Sequence, residues 1–101
     1  MILQGKVQTV QFTDFHDLEV CVVDKDVVKP AGGRPQYTCR LMRGIPELER
    51  LRARKKQASL QEIEELKQQI PLPHEDQVLT LVVLDVTGKG QFFRLLCEVV
   101  A

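Results

Sequence analysis

Two short groups of histidine and carboxylate residues are the first candidates for chemistry in this sequence. They are Asp14, His16 and Asp17 in one turn, and the run His74-Glu75-Asp76 in another. Imidazole and carboxylate groups serve general acid–base catalysis or metal binding. The ligands of one metal ion must converge on a point, and consecutive side chains on a loop seldom do so without partners from elsewhere in the fold. Polar turn residues are therefore the simpler interpretation, and no metal site is predicted.

Candidate nucleophiles are few in this chain. Ser59 opens the pattern Ser-Leu-Gln-Glu, which is a capping box and explains the serine as a helix cap. Cys21, Cys39 and Cys97 have no CxxC spacing, and each lies beside apolar residues of a predicted strand, as buried free thiols do. Gly32-Gly33 and Gly88-Lys89-Gly90 lack the sequence motif that surrounds the glycines of a phosphate-binding loop, so they indicate turns. We therefore predict no catalytic residue, no cofactor and no enzymatic activity.

The most conspicuous charge feature is a basic run at residues 50–56. On a helix these cations spread around more than half of the circumference, which favours a solvated surface neutralised by the glutamates that follow. Contact with phosphate or with an acidic partner is the alternative. Other cations lie on or beside the second, third and fifth predicted strands, and several would share one face if the sheet curls. These are Lys29, Arg34, Arg40, Arg43, Lys89 and Arg94.

Length and composition predict one globular domain over residues 1–101, with 44% hydrophobic and 28% charged residues. The 14 Lys and Arg residues balance 14 Asp and Glu residues, so attraction to a nucleic acid depends on a local patch. No run approaches the roughly 20 apolar residues of a membrane-spanning helix. The first residues also lack the layout of a signal peptide. These features predict a soluble, cytoplasmic protein without a membrane partner.

The elements that would position these residues begin with a hairpin in the last quarter. Residues 78–86 are apolar at nearly every position, which predicts a central strand covered on both faces. Residues 87–90 contain two glycines and form the turn. The following strand alternates, and it places Phe93, Leu95, Cys97 and Val99 on one side. An isolated hairpin is marginally stable in water, so the rest of the chain must bury it.

Three further strands and a helical segment precede the hairpin. The strands are predicted at residues 2–12, 18–24 and 37–43, the last with Tyr37, Cys39 and Leu41 toward the core. The first strand changes the phase of its apolar side, which requires a bulge or bend at Gly5 or at the Gln8-Thr9 step. Helix occupies residues 46–70, and Ser59 favours two helices over one continuous helix. The apolar stripes predicted for this segment are Leu48, Leu51 and Ala53, then Leu60, Ile63, Leu66 and Ile70.

The order of three strands, a helical segment and two strands, with a long bent first strand, resembles the OB-fold. Residues 32–37, Gly-Gly-Arg-Pro-Gln-Tyr, are similar to loops of small phage-type single-stranded-DNA-binding proteins. The resemblance implies an α+β fold that is mainly antiparallel β, a five-stranded barrel with helix between strands three and four. It also implies that single-stranded DNA or RNA binds on strands two and three and on the one-two and four-five loops. The residues at these places are Phe15, His16, Arg34, Arg40, Arg43 and Lys89.

A protein-interaction or oligomerisation module is the alternative function. Its support is the apolar hairpin, whose second strand has Phe92, Leu96 and Val100 on its other face, together with the amphipathic helical segment. In so short a chain, another subunit can cover that face. We therefore also expect a homo-oligomer or a complex with another protein.

Overall fold

The computed structural model describes residues 1–26, 36–90 and 93–100. The elements in these ranges are β1 (Ile2–Phe12), β2 (Leu18–Asp24), β3 (Gln36–Arg43), α1 (Pro46–Arg54), α2 (Leu60–Gln68), β4 (Val78–Thr87) and β5 (Arg94–Val100). The strands form a closed barrel in the order β1-β2-β3-β5-β4. All neighbours are antiparallel except the parallel pair β3 and β5. The predicted fold class is confirmed, and the barrel is compatible with an OB-like fold.

Strand β1 is bent by a bulge, which lets it pair with two neighbours. Residues Ile2–Lys6 pair with β4, and residues Gly5–Phe12 pair with β2. The register against β2 shifts between Val7 and Thr9, so Gln8 is the extra residue. The predicted change of phase is therefore confirmed at the Gln8-Thr9 step.

Two glycines allow other parts of the chain to approach closely. A Cβ atom on Gly5 would lie 2.7 Å from Cγ2 of Val22, so the absence of a side chain at Gly5 makes room for the buried Val22 side chain. Gly44 ends β3 with a φ of +101°, and a Cβ atom there would overlap the main-chain carbonyl of Val99. Pro46 then begins α1, a position that needs no amide hydrogen.

Helices α1 and α2 are separate, as the pattern at Ser59 predicted. The Ser59 hydroxyl accepts a hydrogen bond from the Glu62 amide at 3.2 Å and caps α2. The Glu62 carboxylate does not complete the capping box. It accepts instead from Nη2 of Arg54 at 2.9 Å, and this contact ties the end of α1 to the first turn of α2.

The helices bury narrower stripes than the sequence predicted. Leu48 and Leu51 of α1 are fully buried, but Ala53 is exposed because two residues of helix rotate it by about 200° from Leu51. Leu60 is 67% exposed, since burial along α2 begins only at Ile63. The predictions for Ala53 and Leu60 are therefore wrong.

The barrel interior and the two helices share one apolar core. Its buried members include Val7, Leu18, Val20, Val22, Cys39, Leu41, Leu48, Leu51, Ile63, Ile70, Leu79, Leu81, Leu95 and Cys97. The predicted core faces of the third and fifth strands are thus correct at Cys39, Leu41, Leu95 and Cys97. All three cysteines are free thiols, although Cys21 is only half-buried because it lies on the outer face of β2.

Strand β4 is covered on both faces less completely than predicted. Leu84 and Val86 are 37% and 53% exposed. The pairing of β4 with β1 ends at Val82, and the pairing with β5 continues to Thr87 after a register shift beyond Val83. The end of β4 therefore belongs to a hairpin that extends past the barrel wall, where its side chains are exposed.

Candidate functional site

An open cleft of about 420 Å³ lies between the β1–β2 turn and the β4–β5 turn. Its floor is formed by Glu19 of β2, Arg40 of β3 and Arg94 of β5. These residues alternate with residues of the apolar core, so their side chains lie on the outer face of the barrel. The walls of the cleft are Thr13, Asp14 and Phe15 on one side and Thr87 and Gly88 on the other.

The floor of the cleft is a buried carboxylate between two guanidinium groups. Glu19 is only 3% exposed. Its Oε2 accepts hydrogen bonds from Nη2 and Nε of Arg40 at 3.0 and 3.2 Å, and its Oε1 lies 3.5 Å from Nε of Arg94. Paired, hydrogen-bonded charges offset the cost of removing a carboxylate from water. Glu19 therefore fixes the position of both arginines.

The β1–β2 turn is held by its own threonine. Thr13 Oγ1 accepts from the amides of Phe15 and Asp17 at 3.3 and 3.2 Å, and the Thr13 amide donates to the Asp17 carbonyl at 2.8 Å. These bonds form a compact turn in which His16 adopts a φ of +63°. The Phe15 ring is 79% exposed at the rim of the cleft.

Asp17 joins this turn to α1. Its Oδ1 accepts from Nη1 of Arg52 at 2.6 Å and from Nζ of Lys55 at 2.8 Å. Nζ of Lys55 also donates to the main-chain carbonyl of Phe15 at 3.0 Å. Burial raises the pKa of Asp17, but the Lys55 ammonium and the Arg40 and Arg52 guanidinium groups outweigh burial and hold that pKa below its ordinary value.

This cluster changes two interpretations made from the sequence. The basic run was expected to be neutralised by the glutamates that follow it, which holds for Arg54 and Glu62. Arg52 and Lys55 instead form ion pairs with Asp17, because α1 packs beside the β1–β2 turn. Asp17 is the polar turn residue that was predicted, but it is buried and serves as an ion-pair partner of α1.

The structure brings only some of the predicted site residues together. Phe15 and Arg40 line the cleft. His16 is half-buried in the adjoining turn, and its Nδ1 is buried without a hydrogen-bond partner among the described residues. Arg43 and Lys89 are exposed and do not line the cleft, although Lys89 follows Gly88 directly. Arg34 lies outside the described residues.

Glu19 and Arg94 were not among the predicted site residues. Arg94 belonged to the cations grouped near the strands, and its alternation with Leu95 indicated the outer face of β5. The role of Glu19 could be recognised only from the strand register, which places Glu19 of β2 opposite Arg40 of β3. Nothing in the local pattern around Glu19 shows that two arginines cover it.

The second histidine group is part of a tight turn. Nδ1 of His74 lies 3.0 Å from the carbonyl oxygen of Glu75, and Asp76 adopts a φ of +69°. Asp76 also pairs with Lys6 at 3.7 Å, where the Lys6 side chain is partly exposed and the Asp76 side chain is largely exposed. Throughout residues 1–26, 36–90 and 93–100, no three His, Cys, Asp or Glu side chains are grouped as metal ligands.

No protein-family model matches the sequence, and comparison with curated proteins and with solved structures yields no significant match. Neither described helix has the length and apolar character required to span a bilayer.

Proposed function

We propose that this chain is a small binding domain for single-stranded nucleic acid. The observation that carries the proposal is the cleft between the β1–β2 and β4–β5 turns, where an exposed aromatic ring stands beside two arginines. Its volume of about 420 Å³ lies within the range of small-ligand sites. These turns and the outer face between them are also where OB-folds bind oligonucleotides.

The arginines on the floor can contact phosphate while they remain paired with Glu19. A guanidinium group has five N–H donors, and Glu19 uses two donors of Arg40. The side chains of Arg40 and Arg94 are 29% and 32% exposed, so both are accessible from the cleft. Their planar groups suit phosphate, and Glu19 holds them in place before the ligand arrives.

The aromatic ring and the low charge favour a single strand over a duplex. The exposed face of Phe15 can stack on an unpaired base, which a duplex does not present. Duplex binding without sequence preference depends on many phosphate contacts, and this chain has a net charge of zero. With two arginines in contact with phosphate, the logarithmic salt dependence of single-strand affinity has a slope of roughly −1.4.

The decisive experiment is a fluorescence-anisotropy titration with labelled single-stranded DNA, single-stranded RNA and duplex DNA at two salt concentrations. We expect Phe15→Ala to weaken single-strand binding about tenfold through lost stacking. Leu60→Ala is the matched control, because it truncates another exposed apolar side chain, on α2. Absence of single-strand binding at low salt would refute the proposal.

A second pair of variants tests the floor of the cleft. Arg40→Lys keeps the charge beside Glu19 but loses the guanidinium fork, so we expect weaker binding. Arg50→Lys makes the same exchange at an exposed position on α1, so binding should not change. Equal effects of the two substitutions would place the contact elsewhere.

Self-association is the second candidate function, and it follows from the outer face of β1 and β4. Ile2 is 69% exposed and lies opposite Val82, while Val78 is 49% exposed on the same face of β4. Val100 of β5 pairs with Thr80 and continues this surface. A second copy of the chain would cover these side chains. Phe92, which was predicted to contribute, lies outside the described residues.

A further inference from the structure

Among the described residues, the charges of the side chains that line the cleft cancel. Asp14 and Glu19 contribute two carboxylates, and Arg40 and Arg94 contribute two guanidinium groups. Glu19 is paired with both arginines. By contrast, the Asp14 side chain makes no ion pair and no hydrogen bond with any residue in the described part of the chain. One wall of the cleft therefore presents an unpaired carboxylate to the ligand.

Asp14 lies next to the proposed stacking surface. It precedes Phe15, and the Thr13 hydroxyl accepts hydrogen bonds from the amides of Phe15 and Asp17 in this short turn. Nζ of Lys55 donates a hydrogen bond to the Phe15 carbonyl as well. These contacts fix the main chain that carries the carboxylate and the exposed ring, which lowers the cost of ordering the site when a ligand binds.

A carboxylate in this position opposes phosphate and favours an N–H donor. Its two oxygens accept hydrogen bonds only, so they suit a base edge that carries donors. Guanine presents two adjacent donors, N1–H and the N2 amino group, and can pair with both oxygens. Adenine and cytosine offer one amino group beside a ring acceptor. Thymine and uracil place their single N–H between two carbonyl groups, which repel a carboxylate.

We propose that Asp14 is a specificity-determining residue that selects guanine when a base stacks on Phe15. This inference rests on the proposed binding of single-stranded nucleic acid and adds a base preference to it. Bidentate contacts between a side chain and a base edge discriminate against other bases by about tenfold. A single guanine within an oligothymidine should therefore raise affinity by about that factor.

The test uses labelled oligothymidine probes that carry one central guanine, inosine, adenine, cytosine or no replacement. Inosine lacks the N2 amino group but keeps N1–H, so it should bind less tightly than guanine. Asp14→Asn should remove the guanine preference, because its amide replaces one acceptor with a donor. Asp26→Asn is the control. It removes the charge of another exposed aspartate, which follows the last residue of β2, whereas Glu19 lies near the first residue of that strand.

The possible outcomes separate the base preference from single-strand binding itself. If no probe binds, the proposed function fails and the base preference fails with it. If all probes bind equally, single-strand binding stands and the selection of guanine is refuted. Guanine selection by Asp14 is also refuted if Asp14→Asn retains the guanine preference, or if it strengthens binding to every probe by the same factor. In that last case Asp14 would act only by repelling phosphate.

Discussion

Lys55 of α1 donates a hydrogen bond to the main-chain carbonyl of Phe15 at 3.0 Å, so a helix residue fixes the turn that carries the exposed ring. The same ammonium donates to Asp17 at 2.8 Å and is only 17% exposed. The adjacent Lys56 is exposed and makes neither contact. These neighbouring lysines have equal charge but different roles, and they offer a matched comparison.

We expect Lys55→Met to lower the free energy of unfolding by about 1.5–3 kcal/mol, because it removes hydrogen bonds that involve a charged group. Lys56→Met should change it by less than about 0.5 kcal/mol. Urea denaturation of both variants measures the difference. Lys55→Met should also weaken single-strand binding by loosening the Phe15 turn. Similar stability losses in the two variants would contradict this role of Lys55.

Acid should destabilise the protein through Asp17. Although burial raises the pKa of Asp17, its cationic neighbours hold that pKa below its ordinary value. A carboxyl group with a lower pKa in the folded chain stabilises it above the unfolded pKa, and this stabilisation is lost as pH falls through the folded pKa. The free energy of unfolding should therefore decrease below about pH 4, and Asp17→Asn should reduce that decrease. Urea denaturation of both proteins at several pH values measures this decrease. The same pH dependence in Asp17→Asn as in the unaltered chain would contradict the prediction. Asp14→Asn is the control, since its carboxylate has no ion pair in the described residues.

Gly44 should tolerate no larger residue. Its φ of +101° is unfavourable for other residues, and an added methyl group would overlap the Val99 carbonyl. We expect Gly44→Ala to cost more than about 3 kcal/mol, because main-chain atoms of β5 would have to move. Gly90→Ala isolates the backbone term, since Gly90 has a φ of +58° and open space around it. Its cost should be about 1–2 kcal/mol. Thermal unfolding compares the two, and equal costs would contradict the role of the Val99 contact.

The three thiols should react with Ellman's reagent at different rates. Cys21 is half-buried and its Sγ donates to Gln36 at 3.4 Å, whereas Cys39 and Cys97 are fully buried. A hydrogen bond to Cys97, together with burial, also raises the pKa of the Cys39 thiol, which lowers its thiolate fraction. In the native protein we expect only Cys21 to react, and to react slowly. In denaturant we expect all three thiols to react. Cys21→Ser should abolish the native reaction, and rapid labelling of a second thiol would show that the core opens.

Self-association predicts a dimer or larger species in sedimentation experiments at micromolar concentration. Val78→Lys should shift the equilibrium toward monomer, because it places a charge on the exposed apolar face of β4. Leu72→Lys is the control, since Leu72 is 50% exposed but lies between α2 and β4. A monodisperse monomer of the unaltered chain would remove this candidate function.

The order of the elements could be predicted because each boundary has a local physical cause. Gly44 and Pro46 end a strand and begin a helix, and Ser59 begins the second helix. The ion pairs could not be predicted in the same way. Glu19 contacts Arg94 only because β3 lies between β2 and β5. Asp17 contacts Lys55 only because α1 packs beside the β1–β2 turn. Such contacts depend on the register of distant segments, so the sequence could not show that Arg40 and Arg94 are paired with Glu19.

The parallel pairing of β3 with β5 has a consequence for how fast the barrel assembles. About 50 residues separate the end of β3 from the start of β5, and closing a flexible loop of that length costs about 3.5 kcal/mol beyond a constant. The helices between these strands shorten the effective loop, since Arg54 and Glu62 already join α1 to α2. We expect substitutions that disrupt this helix pair to slow refolding. Substitutions along the β3–β5 seam should chiefly accelerate unfolding, because a contact between such distant segments forms late.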